Sequence, residues 1–481
     1  MKTHIPRIPA LAPAILLSAF SLQVWQTVAC ARDSLPSPAA AVQPCRIEVV
    51  EKGTNWPVPM VELKTTNAVR FVTDNAGVIA FDLPEMMGQE VWFDIDGYGY
   101  ERGKDGFGYR GVRLKMEPGK TCRVEVTRTI IARRIGRITG AGLFGESQKL
   151  GKELDWKESG EVGRDSVLTS VYKGRLFWAW GDTTLAKYPL GVFHTTSATS
   201  AVQPLASFAP PLRLKMQQFT DDKDVPRGVA KMSGEGPTWL SAYVTLKDAK
   251  GVEHLVATYS KIRNHLEEYQ RGLCVWNDKT EEFESLRVLW TKAAGNKNDK
   301  PPLSPMGNPV FWKDARGKEW LLLGSPFPSF RCPATFEAWQ DSKTWEALKP
   351  QETVRATSGD QPNIKPHAGG ITWNAYRKRW VTVFEQSNGK PSSLGELWYA
   401  EADSPTGPWG PAVKVLTHEN YTFYNPQLHP EFTPSGSPIL FFEGTLSDEF
   451  ARKPPIIPRY NYNQILYRLD LDNPALAPAH Q

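Results

Sequence analysis

From about residue 159 the chain repeats a unit of three strand signals, and this repeat limits the fold more than any other feature. A Gly- or Pro-marked strand comes first. A strand introduced by Lys or Arg and carrying an apolar run comes second. The third strand is often followed by Asp and a turn. The first unit is DSVLTSVYKGRLFWAWGDTT with GVFHTTSAT, and the second is GEGPTWLSAYVTLKD, EHLVATYSKI and GLCVWNDKTEEFE. The third, MGNPVFWKDARGKEWLLLGSPFP, has the least clear third strand. The fourth joins KPHAGGITWNAYRKRWVTVFEQ to GELWYAEADSPTGPWG, and the fifth joins YNPQLHPEFTPSGSPILFFEGT to NQILYRLDLDNP. Second-strand centres fall near residues 178, 257, 322, 382 and 441, a spacing of 59 to 79 residues. Five small antiparallel sheets of this size predict a five-bladed β-propeller around a channel, over residues 159–474, with a tail at 475–481. A two-sheet sandwich would leave the repeated order of strand signals without a cause.

At 481 residues the chain is too long for one core, so a second domain is expected. Residues 45–128 supply it: CRIEVVE, VPMVELKTT, AVRFVTDNAGVIAFDLP, QEVWFDIDG and CRVEVTRTI are short alternating strands. They predict a small β-sandwich, with Asn75 and Gly77 able to take positive φ in its TDNAG turn. The whole chain is therefore expected to be all-β, in keeping with its 17 Trp, 38 Gly and 39 Pro. Residues 129–158 connect the two domains. Residues 1–31 read as a signal peptide, with Lys2 and Arg7 ahead of an apolar run and VACA offering small residues for cleavage. A Pro/Ala/Ser linker, 32–44, follows. The mature protein is expected to be secreted or held in the periplasm or cell envelope, with a lipid anchor at Cys30 as an alternative. No segment reads as an integral membrane span. Cys45 and Cys122 bracket the small domain as a disulfide or as two small strand residues. The net charge of +5 comes from 57 basic and 52 acidic residues mixed along the chain. With no basic tract, nucleic acid is not an expected partner.

Strand polarity places polar residues. If each unit's first strand is innermost and starts at the top of the channel, two classes of residue crowd one rim. Asp165, Glu235, Asn308, His367 and Asn425 open inner strands, and Asp182, Lys261, Ser325, Glu385 and Glu443 close second strands. Carboxyls facing one pocket repel, so at least one keeps its proton near neutral pH. Glycoside hydrolysis uses such a pair, one carboxyl protonated and one ionised. Asp165 or Asp182 is then the candidate base or nucleophile, and Glu235 or Glu385 the candidate acid. His367, Glu396, Tyr424, Asn425, Glu443, Trp180, Lys261 and Arg263 are candidate substrate-binding residues. Trp178, Trp239 and Trp373 are aromatic faces for sugar rings or, equally, core. Each acid also has a plainer reading as a turn cap or a solvated strand end.

LWYAEADSPTGPWG (397–410) resembles the blade ending of five-bladed propeller glycosidases, the arabinanase and invertase-like group. FWAWGDTT resembles a strand of a related bacterial propeller family that includes endo-arabinofuranan hydrolases. The resemblance covers roughly 159–474 and implies an exported hydrolase acting on a furanose-containing or otherwise complex polysaccharide or oligosaccharide. It implies a general-base role for Asp165, which opens blade one, and a channel position for His367, which in some members of the group lies near a bound ion. The local motifs at Glu235 and Glu385 do not match the group's other acids. The order PVPMVELKT then FVTDNAGVIAFDLP resembles the transthyretin-like accessory domain of bacterial exported proteins.

No nucleophile elbow, catalytic-cysteine signature, Rossmann fingerprint or phosphate loop is present. No zinc-type spacing occurs, so no cofactor is expected. A channel ion remains open. So does a structural calcium, for which Asp94, Asp96 and Asp105 are closely spaced but do not match an EF-hand. The chain is expected to act as a monomer. The rival readings are a non-catalytic glycan-binding propeller and a cell-envelope scaffold that binds protein.

Overall fold

The computed structural model describes residues 43–480 apart from 193, 203–207, 265, 297, 360, 420 and 452–459, and residues 43 onward form one compact unit. The signal peptide at 1–31, Cys30 and most of the linker lie outside the described residues.

Residues 45–128 form two four-stranded sheets. One runs Val78–Phe81, Cys45–Glu51, Thr121–Arg128, Tyr100–Glu101, and the other Arg70–Val72, Glu62–Thr65, Glu90–Asp96, Gly111–Lys115. Period-two alternation sends Val91, Phe93 and Ile95 inward, where they join Ile47, Val49, Leu63, Phe81 and Val124 in one apolar core. The same alternation leaves Trp92, Asp94 and Asp96 on the outer face. In the TDNAG turn Gly77 has φ +69°, and a Cβ there would lie 2.8 Å from the Val49 carbonyl. Asn75 does not take positive φ. Its side chain is spent on the segment before the propeller: Nδ2 donates to the Arg137 carbonyl and Oδ1 accepts from the Arg137 amide, each at 2.9 Å. Cys45 and Cys122 sit on neighbouring parallel strands as free thiols, and burial together with Cys122 pushes Cys45 up to about 12.

Five four-stranded antiparallel sheets follow, and their inner strands are Leu168–Tyr172, Thr238–Lys247, Asn308–Lys313, Pro366–Asn374 and Thr422–Leu428. Each inner strand neighbours the next along the chain. Hydrogen bonds join successive sheets: Ser170 to Thr245 at 3.0 Å, the Gly307 amide to Ser241 Oγ at 2.9 Å, and Asn308 Nδ2 to the Gly369 carbonyl at 2.7 Å. The Phe423 amide reaches the Leu394 carbonyl at 2.7 Å, and the Ser166 amide returns from blade one to Thr445 Oγ1 of blade five at 3.0 Å. The ring is closed, and the fold is a five-bladed β-propeller. The third strand of blade three, least clear in the sequence, is Pro328–Pro333. Blade five takes its outermost strand, Arg133–Arg137, from before the first blade, so the propeller draws on chain preceding residue 159. In the GPW motif Trp409 is buried against Phe327, with ring centroids 5.2 Å apart, which accounts for the motif by packing. No helix among the described residues is long and apolar enough to cross a membrane.

Candidate active site at the propeller mouth

Blade one's inner strand is entered through Gly163–Arg164, which pairs with the hairpin strand Thr183–Leu185. Asp165 and Asp182 are thereby held across from each other. The Asp165 amide donates to the Asp182 carbonyl at 3.3 Å, and the Gly181 amide donates to the Asp165 carbonyl at 2.8 Å. Ser166, at φ +54°, then turns the chain into the blade. A Cβ on Gly181 would lie 2.3 Å from Asp165 Oδ1, so the sequence GD after the strand leaves room for the carboxyl. Oδ1 is buried without a hydrogen-bond partner, and Oδ2 accepts from the Tyr424 hydroxyl at 3.0 Å. Asp182 Oδ1 accepts from Trp239 Nε1 at 3.3 Å. Asn425 Nδ2 donates to Ser166 Oγ at 2.8 Å.

These residues open into one cavity of about 470 Å³, lined also by Trp180, His367, Glu449, Phe450 and Tyr462. Burial, and then the Asp182 charge, push Asp165 up to about 7, against the lowering pull of the Tyr462 and Tyr424 hydroxyls. Burial also raises Asp182, against the lowering pull of the Trp239 indole N–H. Glu449 is raised by burial, Asp448 and Asp182. The described lining holds three carboxyls and no Lys or Arg. His367 is its one basic group: Nδ1 lies 2.8 Å from Glu385 Oε2, and that carboxylate raises the imidazole. Glu385 itself is fully buried behind His367, and burial pushes it up to about 7. It acts on the cavity only through the imidazole.

The sequence-predicted residues thus divide. Asp165, Asp182, His367, Tyr424, Asn425 and Trp180 share the cavity. Trp180 is 1 % exposed, with its ring engaged by Trp178 and by the Arg164 guanidinium, so it forms wall and offers no free face. Glu235 is exposed and does not line the cavity. Its flanking glycines serve packing: a Cβ on Gly236 would meet the Ile262 carbonyl at 2.1 Å. Lys261 is drawn inward, its Nζ donating to the Gly236 carbonyl at 2.7 Å and the Met232 carbonyl at 3.3 Å. Arg263 pairs with Glu267 at 3.2 Å on the surface. Glu396 is buried against Thr417 Oγ1 and Lys414 Nζ, each at 2.7 Å. Glu443 is buried mid-strand, 3.0 Å from His429 Nε2. Trp178 is core and Trp373 lies elsewhere, whereas Trp239 lines the cavity.

Several lining residues, Glu449, Phe450 and Tyr462 among them, are not among the sequence candidates. Glu449 lies two positions past the strand Ile439–Ser447, whose run ILFFEGTLS continues through Glu443; following that run to its end would have found it. Tyr462 precedes the third strand of blade five, Asn463–Asp470, at the rim position where third strands begin. Among the described residues no group of three His, Cys, Asp or Glu side chains is placed to hold a metal ion. Asp94, Asp96 and Asp105 instead accept from Trp92, the Tyr98 amide and the Phe107 and Tyr109 amides.

No protein-family model and no curated protein matches the chain. Among solved structures it is similar to an exo-1,5-alpha-L-arabinanase from a bovine ruminal metagenomic library, at 12% identity over 65% of this chain and 94% of that one, with a TM-score of 0.37. It is similar to a mutant of the Cellvibrio cellulosa alpha-L-arabinanase, at 13% identity over 64% and 90%, TM-score 0.37. It is also similar to an N-acetylgalactosamine deacetylase from F. plautii, at 10% identity over 67% and 94%, TM-score 0.36. Identities this low leave the cavity residues to be read from their own geometry.

Proposed function

We propose that the chain is an exported glycoside hydrolase acting on a polysaccharide, with Asp165 and Asp182 as its catalytic pair. One observation carries the reading: two carboxyls from adjacent chain segments open into one aromatic-walled cavity, and the more buried of them holds its proton up to about 7. Glycosidic cleavage needs that asymmetry. Asp165 is the proton donor to the leaving oxygen, reached through the Tyr424-bonded Oδ2. Asp182 is the ionised partner that activates water or attacks the anomeric carbon. Trp239, Tyr424 and Phe450 supply apolar faces for sugar rings. His367, held by Glu385, supplies the one cationic donor for a substrate hydroxyl. The export reading rests on Lys2, Arg7 and the apolar run after them. The furanose-containing class rests on the resemblance of FWAWGDTT and sets the order of assays, arabinofuranans first.

The test is reducing-end release across plant, algal and bacterial polysaccharides by wild type, Asp165→Asn and Asp182→Asn. Each amide is expected to lose about 10²- to 10⁴-fold in rate with unchanged Tm. Full activity in both variants would sink the assignment. Retention of a polysaccharide without release of any reducing end by wild type would favour a binding propeller instead.

A further inference from the structure

The outer face of the sheet containing Glu90–Asp96 holds an aromatic surface that the propeller does not use. Trp92 points outward there and crosses to Arg113 on Gly111–Lys115. A Cβ on Gly111 would lie 2.5 Å from Trp92 Cζ2, so the indole lies over the one residue in that strand with no side chain. Its Nε1 donates to Asp94 Oδ1 at 3.0 Å, and Asp94 Oδ2 sits 3.2 Å from Lys64 Nζ. Tyr109 stands nearly perpendicular to it, at 79° with centroids 6.5 Å apart, although 61% exposed. That ring is placed by its loop: Asp105 Oδ1 accepts from the Phe107 and Tyr109 amides at 2.9 Å each, and the Asp105 amide returns to the Tyr109 carbonyl at 2.9 Å. Thr66, Trp92, Asp94, Asp105, Tyr109 and Arg113 line a depression of about 410 Å³. Arg113 has no hydrogen-bond or ion-pair partner among the described residues.

We infer that this depression is a carbohydrate-binding site, distinct from the propeller cavity, for a neutral sugar unit of a polysaccharide. A rigid indole floor with a second ring as wall fits the apolar C–H face of a sugar, and both rings lose little conformational freedom on binding. Around it, acceptors on Asp94 and Asp105 and the free guanidinium of Arg113 suit hydroxyls, which both donate and accept. The charges nearly balance, with Lys64 already on Asp94, which favours a neutral sugar over a uronate. An indole that merely capped the sheet would need neither the fixed Tyr109 wall nor unpartnered donors beside it. The site does not depend on the catalytic pair.

The test is mobility of the full chain in native gels containing arabinan, arabinogalactan, xylan or polygalacturonan. Trp92→Ala, Tyr109→Ala and Arg113→Ala are compared with wild type, all in an Asp165→Asn background so that the gel is not degraded. At least one neutral polysaccharide is expected to retard the parent. Trp92→Ala should weaken the retardation most, leaving only what the propeller cavity contributes, and Tyr109→Ala and Arg113→Ala should weaken affinity about three- to tenfold at unchanged Tm. Unchanged retardation in the folded Tyr109→Ala and Arg113→Ala proteins would overturn the site, as would a parent that no neutral polysaccharide retards. Stronger retardation by polygalacturonan would overturn the neutral class. If wild type hydrolyses nothing but the sandwich variants still lose retardation, the catalytic reading fails and this one stands.

Discussion

Blades one and five each carry an acid in the region where the second strand returns, and the two acids do different work. Asp182 lies two residues beyond Arg175–Trp180, where the chain leaves the blade, and its carboxylate meets the cavity. Glu443 is the fifth of nine residues in Ile439–Ser447, paired with Gln427 and Leu466 in mid-sheet, and it is fully buried. There it shares His429 with Glu431, whose Oε1 lies 2.9 Å from His429 Nδ1 and also accepts from Thr169 Oγ1 of blade one at 3.2 Å. The two carboxylates overcome burial and push His429 up to about 9. One acid faces the cavity from just past the end of its strand. The other, only part-way along its strand, becomes a charged joint between the last blade and the first.

The comparison breaks most sharply if the two roles exchange. Asp182→Asn should lose about 10²- to 10⁴-fold in hydrolysis with Tm unchanged. Glu443→Gln should cost about 3–5 kcal/mol in denaturant unfolding, because it removes one partner of a buried charge pair, while turnover per folded molecule stays the same. Gly181→Ala is expected to displace the Asp165 carboxyl and lower the rate by about 10²-fold with KM little changed. The pH responses separate the regions further. Asp165 is raised in the fold, so its stabilising proton is fully bound below the ordinary carboxylate range and lost as pH rises through about 7; activity should fall over the same rise. His429 is raised as well, so its contribution is present below the ordinary histidine range and lost as pH rises through about 9, visible as a falling Tm that Glu443→Gln flattens. The smallest effect belongs to Glu235→Gln, on the surface, expected within about 0.5 kcal/mol and without effect on rate.

What could be read in the sequence follows from the range of the interactions involved. Repetition of strand signals carries blade number, because each blade is built from neighbours in the chain. Asp165 and Asp182 were legible for the same reason: one hairpin register brings them together and a glycine beside one makes room for the other. Glu385 lies at a strand end as expected, but whether it or His367 meets the cavity depends on which of two hydrogen-bonded side chains lies nearer the axis. Lys261 was lost to the loop carbonyls of Met232 and Gly236, and Glu396 to Thr417 and Lys414 on the neighbouring strand Val413–Thr417, partners that the strand's own residue pattern does not reveal. Trp92 sits within the strand run QEVWFDIDG, and only the pairing of Asp94 with Gly111 shows the gap beneath it.

The strand Arg133–Arg137 has a consequence for how the chain is made. Synthesis delivers it before any blade, yet its only sheet partner among the described residues is Asn463–Asp470, more than three hundred residues downstream. It must wait, attached to a small domain that can already be complete, until nearly the whole polypeptide has emerged. Closing so distant a pair is the slow kind of folding step. A gene fragment begun at residue 159 would deliver five blades with the last one missing its outer edge, and an unpaired edge of that kind invites a second molecule to fill it.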